Sequence, residues 1–335
     1  MGVRVGINGF GRIGRLVLRA ALKRQAEIDF VAVNDITDAA TLAYLLTYDS
    51  IHGVWPERFA VRDSSLCVGT HAVRVLSEAN PVNLPWKDLG VDVVLECTGK
   101  FTERDKAAVH LAAGAKRVLV SAPAKGADAT FVIGVNEKSF DPAKHQIVSI
   151  ASCTTNCLAP VLSVLDQAFG IERGLMTTVH AYTNDQRVHD APHKDLRRAR
   201  AAAVSMIPTS TGAAKAIGLV IPSLQGKMDG ISIRVPSPDG SLIDVTAVTQ
   251  KPVTVASVNA AMKDAAAGPL RGILQYCEDP IVSQDVVGNP HSAVFDSLLT
   301  MVSGDRMVKV FAWYDNEWGF ANRMVDALLL LGKTT

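Results

Sequence analysis

The sequence predicts an α/β chain of two domains, and three observations carry that prediction. A strand-like stretch runs into a glycine triplet, an amphipathic helix and a second strand, the opening of a doubly wound parallel sheet. From about Leu175 the texture changes to strands rich in β-branched residues with short turns between them, which suits a mostly antiparallel sheet. The chain has 335 residues, more than one core of ordinary size absorbs.

Val3-Arg4-Val5-Gly6-Ile7-Asn8 reads as a buried strand. Gly9-Phe10-Gly11-Arg12-Ile13-Gly14 follows, then an amphipathic helix from Arg15 to Leu22. Strand, G-x-G-x-x-G and helix in this order form a dinucleotide-binding turn. The first glycine permits the tight turn, the second lets the backbone approach a pyrophosphate, and the third lets helix and strand pack closely. A second strand, Phe30-Val31-Ala32-Val33-Asn34-Asp35, ends in a carboxylate about 20 residues further on, where ribose hydroxyls would be held. A 2′-phosphate about 4–5 Å from Asp35 would cost on the order of 3 kcal/mol per unit charge. The expected cofactor is therefore NAD rather than NADP.

A helix from Ala39 to Tyr48 and short strands near Leu66–Val68 and Ala72–Val75 look like an insertion on the βαβ plan. Asp92–Cys97 and Arg117–Ser121 read as further parallel strands, joined by a helix from Glu103 to Ala113. Thr98-Gly99 and Ser121-Ala122-Pro123 then lie at the carboxyl ends of strands, where open α/β sheets bind ligands. Cys67 and Cys97 read as packing residues.

Ala151-Ser152-Cys153-Thr154-Thr155-Asn156-Cys157 sits between a short strand, Gln146–Ile150, and a helical run from Leu158. Ser152 is the expected N-cap, which puts Cys153 in the first turn. An ordinary thiol is only about 3% ionised at neutral pH. A helix start favours the thiolate, and its N–H groups could hold an oxyanion. From this stretch alone, a nucleophile and a buried packing residue are equally well supported.

Beyond it, Leu175–Thr183 is a strand of alternating faces carrying His180. A histidine in such a strand is usually a core residue, but a thiol in the first turn of a helix needs a base, which favours a functional His180. Asn184 to Arg200 is a long polar loop, of a length that marks function or an interface. Pro208–Lys215 opens a helix with a hydroxyl-rich turn suited to anions. Ile231–Pro236 and Leu242–Val248 read as a hairpin about Pro238-Asp239-Gly240. Val255–Ala266 is a covering helix, Met307–Tyr314 a last strand, and Glu317–Leu331 a C-terminal helix.

Composition narrows the function classes. The chain is 48% hydrophobic and 20% charged with a net charge of +1, so no global field recruits nucleic acid or a membrane surface. Without a basic stripe interleaved with aromatics, nucleic acid is not expected as the main partner. Five cysteines at irregular spacing argue against a disulfide framework and for a reducing, cytoplasmic compartment. No His/Cys cluster with metal-ligand spacing appears, so no metal is expected. The N-terminus runs straight into strand-like sequence without a signal-peptide pattern, and no apolar run reaches membrane-spanning length.

Three motifs together, Asn8–Arg15, Ala151–Pro160 and Trp313-Tyr314-Asp315-Asn316-Glu317, resemble phosphorylating glyceraldehyde-3-phosphate dehydrogenases, and the likeness runs over essentially the whole chain. The resemblance implies a Rossmann NAD-binding domain over 1–151 completed by the C-terminal helix 316–335. It further implies an α+β catalytic domain over 152–315, and a cytoplasmic homotetramer. Position by position, Cys153 is similar to the family's nucleophile and His180 to its base. Ser152, Thr154, Thr183, Arg198, Thr211, Gly212 and Arg234 match its two anion sites, for glyceraldehyde 3-phosphate and inorganic phosphate. Asn8, Gly9, Phe10, Gly11, Arg12, Ile13, Gly14, Asp35, Thr98, Ser121 and Asn316 match NAD contacts. The polar loop looks like the segment that places Pro192 near a neighbour's cofactor.

The implied chemistry is attack by a Cys153 thiolate, paired with a His180 imidazolium, on an aldehyde. Hydride transfer to NAD leaves a thioester that phosphate cleaves. An erythrose-4-phosphate dehydrogenase, which favours hydrolysis, is the nearest alternative, and Thr209-Ser210-Thr211-Gly212 looks like the phosphate-using branch. Three positions depart from the family pattern. Ile150 replaces an Asn, Ala79 stands where an Arg usually lies near the adenine, and Pro236–Ser241 differs from the usual Pro-Thr-Pro-Asn-Val-Ser.

Overall fold

A computed structural model describes residues 2–333. Met1, Thr334 and Thr335, to which the expected domain bounds extend, lie outside the described residues. The chain divides into two compact units. Among the described residues, one comprises 2–133, 137–151 and 321–333, and the other 134–136 and 152–320.

In the first unit, six parallel strands follow the 3-2-1-4-5-6 order of a doubly wound sheet. They are β1 (Val3–Asn8), β2 (Ile28–Asn34), β3 (His71–Leu76), β4 (Val93–Glu96), β5 (Arg117–Val120) and β6 (Ile147–Ser149). β4 and β5 are buried throughout, as parallel strands covered on both faces must be. Helix α1 (Arg12–Lys23) joins β1 to β2. The antiparallel ribbon Ala60–Arg62, Ser65–Val68 extends the sheet beyond β3. The single helix expected from Glu103 to Ala113 is instead two short ones, Arg104–Ala107 and Val109–Ala112. The break falls where Leu111 N–H bonds the Ala108 carbonyl three residues back, beside a fully buried His110.

The second unit starts with α2 (Cys153–Phe169), then β7 (Ile171–Ala181), β8 (Ile207–Ser210), α3 (Ala213–Val220), β9 (Met228–Val235) and β10 (Ser241–Thr249). After the helix Val255–Ala267 come β11 (Leu274–Cys277), β12 (Ala293–Asp296) and β13 (Met307–Tyr314). The sheet order is β8-β9-β7-β10-β13-β12-β11, mostly antiparallel with two parallel pairs, β7/β9 and β11/β12. The expected hairpin does not form. β7 lies between β9 and β10, so Pro236–Gly240 crosses over the end of β7, where Tyr182 N–H bonds the Ser237 carbonyl. Prolines at 236 and 238 withhold the N–H groups a hairpin ladder needs, and Gly240, at φ +79°, takes the left-handed turn.

Alternation along β7 buries Met176, Thr178 and His180 on one face and leaves Leu175 exposed on the other. The last helix, α4 (Trp318–Gly332), belongs to the first unit from Ala321 onward. There Arg117 Nη1 donates to the Leu331 carbonyl and Arg24 pairs with Asp326. No helix among the described residues is long and apolar enough to cross a membrane.

Candidate active site

The nucleotide turn of the first unit is closed on its inner side and open on its outer side. A Cβ on Gly9, whose φ is +89°, would lie 2.7 Å from the Thr98 nitrogen, and one on Gly14 2.5 Å from the Gly9 carbonyl oxygen. One on Gly11 would meet nothing within 4 Å. Gly11 is the N-cap of α1 and brings no capping side chain, so the first turn keeps its N–H groups for an anion. Asp35 is pinned at the edge of the turn, its Oδ2 accepting from Phe10 N–H (2.8 Å) and its Oδ1 from Thr37 N–H (2.9 Å). The residues present therefore fit a dinucleotide: an open, donor-rich turn with a fixed acceptor for ribose hydroxyls. Arg12 turns its guanidinium onto both oxygens of Asp49, at 2.8 and 3.3 Å, which leaves its backbone as the part facing the turn. Burial pushes the Cys97 thiol up to about 12, in keeping with a packing residue.

In the second unit the thiol, the imidazole and a guanidinium meet. Ser152 caps α2 by accepting from Thr155 N–H at 3.1 Å, which sets Cys153 in the first turn. Parallel pairing of β7 and β9 puts His180 directly beside Arg234. His180, 3% exposed, brings Nε2 to 3.5 Å from Cys153 Sγ. Its Nδ1 lies 2.7 Å from the Ala181 carbonyl and 2.6 Å from Arg234 Nη1, and the guanidinium also reaches that carbonyl at 3.1 Å. A hydrogen on Nδ1 serves the carbonyl and leaves the Nε2 lone pair facing sulfur. A guanidinium hydrogen on Nδ1 instead puts the ring's hydrogen on Nε2. Only the first tautomer can take the thiol proton.

Burial and then the Arg234 charge press His180 down to about 3. Burial raises the Cys153 thiol, with Arg234 and Thr154 pulling it back only in part. Both shifts run toward the uncharged thiol and imidazole when no anion faces Arg234. A thiolate–imidazolium pair, as the family resemblance implies, would have to overcome burial of both groups and the Arg234 charge beside the ring.

The anion-site candidates divide. Arg198 donates through Nε and Nη2 to Thr209 Oγ1 and is ion-paired with Asp185 and Asp195. Thr209, buried opposite Ser232, belongs to the hydroxyl-rich stretch read from the sequence but is not singled out there as a site residue. Thr211 Oγ1 accepts from Ala213 N–H at the start of α3, where Gly212 is the N-cap. Thr183 N–H bonds Gln186 Oε1, and Nε2 of that buried glutamine has no hydrogen-bond partner, a donor ready for an anion. Thr154 is the exception. Its hydroxyl is buried on Tyr314 (2.9 Å), which also holds Thr178 (2.8 Å), and it lies against the sulfur, so in the unliganded site its side chain is committed to the thiol's surroundings. Asn316 is oriented by Ser241, whose hydroxyl donates to its Oδ1 at 2.6 Å. Pro192 accepts on its carbonyl from Arg187 within the exposed loop. Ser121 N–H bonds the Glu96 carbonyl in the first unit.

Two departures from the family pattern are structurally plain, Ile150 fully buried and Ala79 exposed. The third brings in a buried carboxyl group. Asp239, 2% exposed, is hydrogen-bonded to Asp315, and burial followed by that neighbour's charge pushes it up to about 9.

Two predictions follow from these ionisations. Alkylation of Cys153 by iodoacetamide in the cofactor-free protein should rise continuously toward alkaline pH; a plateau reaching below pH 7 would reveal a resting ion pair instead. The folded Asp239 holds its proton above the unfolded value of about 3.9, so its share of stability is full below about pH 4 and drains away toward pH 9. Asp239→Asn should flatten that slope and gain at least about 1 kcal/mol at pH 8; thermal melts across pH check this, and a variant melting below wild type at pH 8 would contradict it.

Comparison with known proteins matches both halves. The family profile "Glyceraldehyde 3-phosphate dehydrogenase, NAD binding domain" covers residues 3–104, and "Glyceraldehyde 3-phosphate dehydrogenase, C-terminal domain" covers 152–316. The chain is 57% identical over 333 residues to glyceraldehyde-3-phosphate dehydrogenase 2 of Streptomyces avermitilis, spanning 99% of each. It is 58% identical over 326 residues to the Geobacillus stearothermophilus glyceraldehyde-3-phosphate dehydrogenase, spanning 97% of each. The Mycobacterium avium glyceraldehyde-3-phosphate dehydrogenase is 57% identical over 340 residues, both chains being covered in full. The chain belongs to the glyceraldehyde-3-phosphate dehydrogenase family.

Proposed function

We propose that this protein oxidises D-glyceraldehyde 3-phosphate with NAD and inorganic phosphate, reversibly, to 1,3-bisphosphoglycerate. The observation that carries the reading is the contact of Cys153 and His180 beside Arg234, in a chain whose other unit has a turn fitted to a dinucleotide. The first unit is the NAD-binding domain, completed by the end of α4, and the second is the catalytic domain.

Substrate phosphate at Arg234 draws the guanidinium from Nδ1, and the ring then donates to Ala181 and turns its Nε2 lone pair to the sulfur. His180 takes the thiol proton as Cys153 Sγ bonds the aldehyde carbon, then returns it to the new alkoxide, giving a hemithioacetal. Amide hydrogens at the start of α2 stabilise that alkoxide. The neutral ring next accepts the hydroxyl proton while the carbon gives up its hydride. NAD supplies the hydride acceptor, and what stays on Cys153 is a thioester. Phosphate held by Arg198, Thr211 and Gly212, with Ser152 and Thr183 alongside, attacks the thioester; the carbon–sulfur bond breaks and the thiol is restored. Asn316, fixed by Ser241, orients the nicotinamide carboxamide. Asn8, Gly9, Phe10, Gly11, Arg12, Ile13, Gly14, Asp35, Thr98 and Ser121 serve the rest of the dinucleotide.

The assembly is a homotetramer in the cytoplasm. Five unpaired cysteines suit a reducing compartment. Apolar side chains are exposed along the long loop (Val188, Leu196, Val204, Met206) and on the outer face of the catalytic sheet (Leu175, Ile231), more than a lone chain ordinarily leaves in water. Pro192, in that loop, serves a neighbouring copy's cofactor.

NADH formation from glyceraldehyde 3-phosphate should continue past one turnover only when phosphate is present. His180→Asn should lose about 10²–10⁴ in rate, and Cys153→Ser should lose all oxidation; activity within tenfold of wild type in either sinks the roles given them. Light scattering should return the mass of four chains, and a monomer at micromolar concentration would remove the assembly and the role of Pro192.

A further inference from the structure

The first unit buries a polar chain that the reaction steps leave unused. Glu96, at the end of β4 and 1% exposed, accepts from four groups. One oxygen takes Asn8 Nδ2 (2.7 Å) and His110 Nε2 (3.0 Å), and the other takes the N–H of Thr98 (2.7 Å) and its hydroxyl. His110 is fully buried, and its tautomer is fixed from behind: Trp86 Nε1 donates to Nδ1 at 3.2 Å, so Nε2 carries the hydrogen toward Glu96. Asn8 Oδ1 accepts from Asn34 Nδ2 at 2.8 Å, and Asn34 Oδ1 from Glu78 N–H at 2.8 Å. Both arms of this chain end on the nucleotide turn. Asn8 precedes Gly9, and Gly9 packs so tightly on Thr98 that a Cβ would lie 2.7 Å from its nitrogen. Buried polar networks of this kind are often no more stabilising than an apolar core of the same shape, and their commoner use is to fix geometry.

We propose that Glu96 is a positioning residue for the dinucleotide, its two oxygens clamping Asn8 and Thr98 on either side of Gly9 while His110 and Trp86 hold the carboxylate in place. The inference rests on reading the Gly9 turn as the NAD site. Loosening the clamp leaves the binding-competent turn only fractionally populated and weakens NAD in proportion. It leaves the thiol, imidazole and anion residues of the other unit unchanged.

The test uses the intact enzyme, with NAD affinity measured by calorimetric titration, KM for the aldehyde by NADH formation, and melting in parallel. Glu96→Gln keeps the shape but sets an amide donor against one pair of donors, and should raise the Kd for NAD about 10- to 100-fold. KM for the aldehyde should stay within about twofold. His110→Leu should behave like Glu96→Gln, while His110→Gln, which restores a donor toward Glu96, should recover most of the affinity. Should Glu96→Gln fail to fold, the two His110 variants decide. Variants that melt lower yet bind NAD within twofold of wild type overturn the proposal, as do losses shared equally by NAD and aldehyde. Failure of the wild type itself to bind NAD would overturn the cofactor reading, a result distinct from any difference among variants.

Discussion

The register of two parallel strands is the constraint on which the catalytic unit depends. β7 and β9 pair so that His180 stands beside Arg234, and the alternation of β7 then commits His180 to the face carrying Thr178 and Met176. A slip of one residue would turn the imidazole to the other face and put a different neighbour beside it. Ser152 fixes the remaining coordinate by capping α2, so that Cys153 falls in the first turn rather than further along the helix. Tyr314 ties these parts together, with its ring edge-on to His180 and its hydroxyl shared by Thr154 and Thr178.

What could be read from the sequence was what is local. The glycine turn, the carboxylate at the end of β2, and a capped cysteine after a short strand are each specified within a dozen residues. Each depends on φ/ψ limits or hydrogen bonds to near neighbours. The pairing of His180 with Cys153 was legible only as a chemical need, because nothing near His180 in the chain announces a thiol. Sheet order was less legible still. Pro238-Asp239-Gly240 has the composition of a hairpin turn, but composition does not say whether a third strand lies between the two it joins. Thr154 illustrates the same limit one level down, since the motif gives its position on α2 but only packing turns its hydroxyl to Tyr314.

Residues that hold other residues were the least visible. Glu96 read as the end of an apolar strand and His110 as one side chain in a helix, since neither lies in a motif and their partnership spans 14 positions. Thr209 was hidden among hydroxyls until its contact with Arg198 singled it out. Asp239 stood out as a departure, yet its sequence neighbours gave no hint of Asp315, 76 positions away and in hydrogen-bonding contact. Polar groups of this kind are recognised by who surrounds them, and a single sequence does not carry that information.

Arg234, proposed above as a receptor for the substrate phosphate, also bears on the base through its charge. A unit charge about 4 Å away is worth on the order of 4 kcal/mol at an effective dielectric of 20, roughly three pKa units. The fall of His180 from 6.5 to about 3 has burial as its first cause and the Arg234 charge as its second, and the second is one an anion can offset. Burial alone cannot be switched by a substrate phosphate, whereas the field of Arg234 can. On the proposed mechanism, a phosphate at Arg234 would draw the guanidinium from Nδ1 and so weaken the contact that lowers the imidazole. That proposed coupling of proton transfer to phosphate binding would depend on His180 and Arg234 staying in register, which the β7/β9 pairing provides.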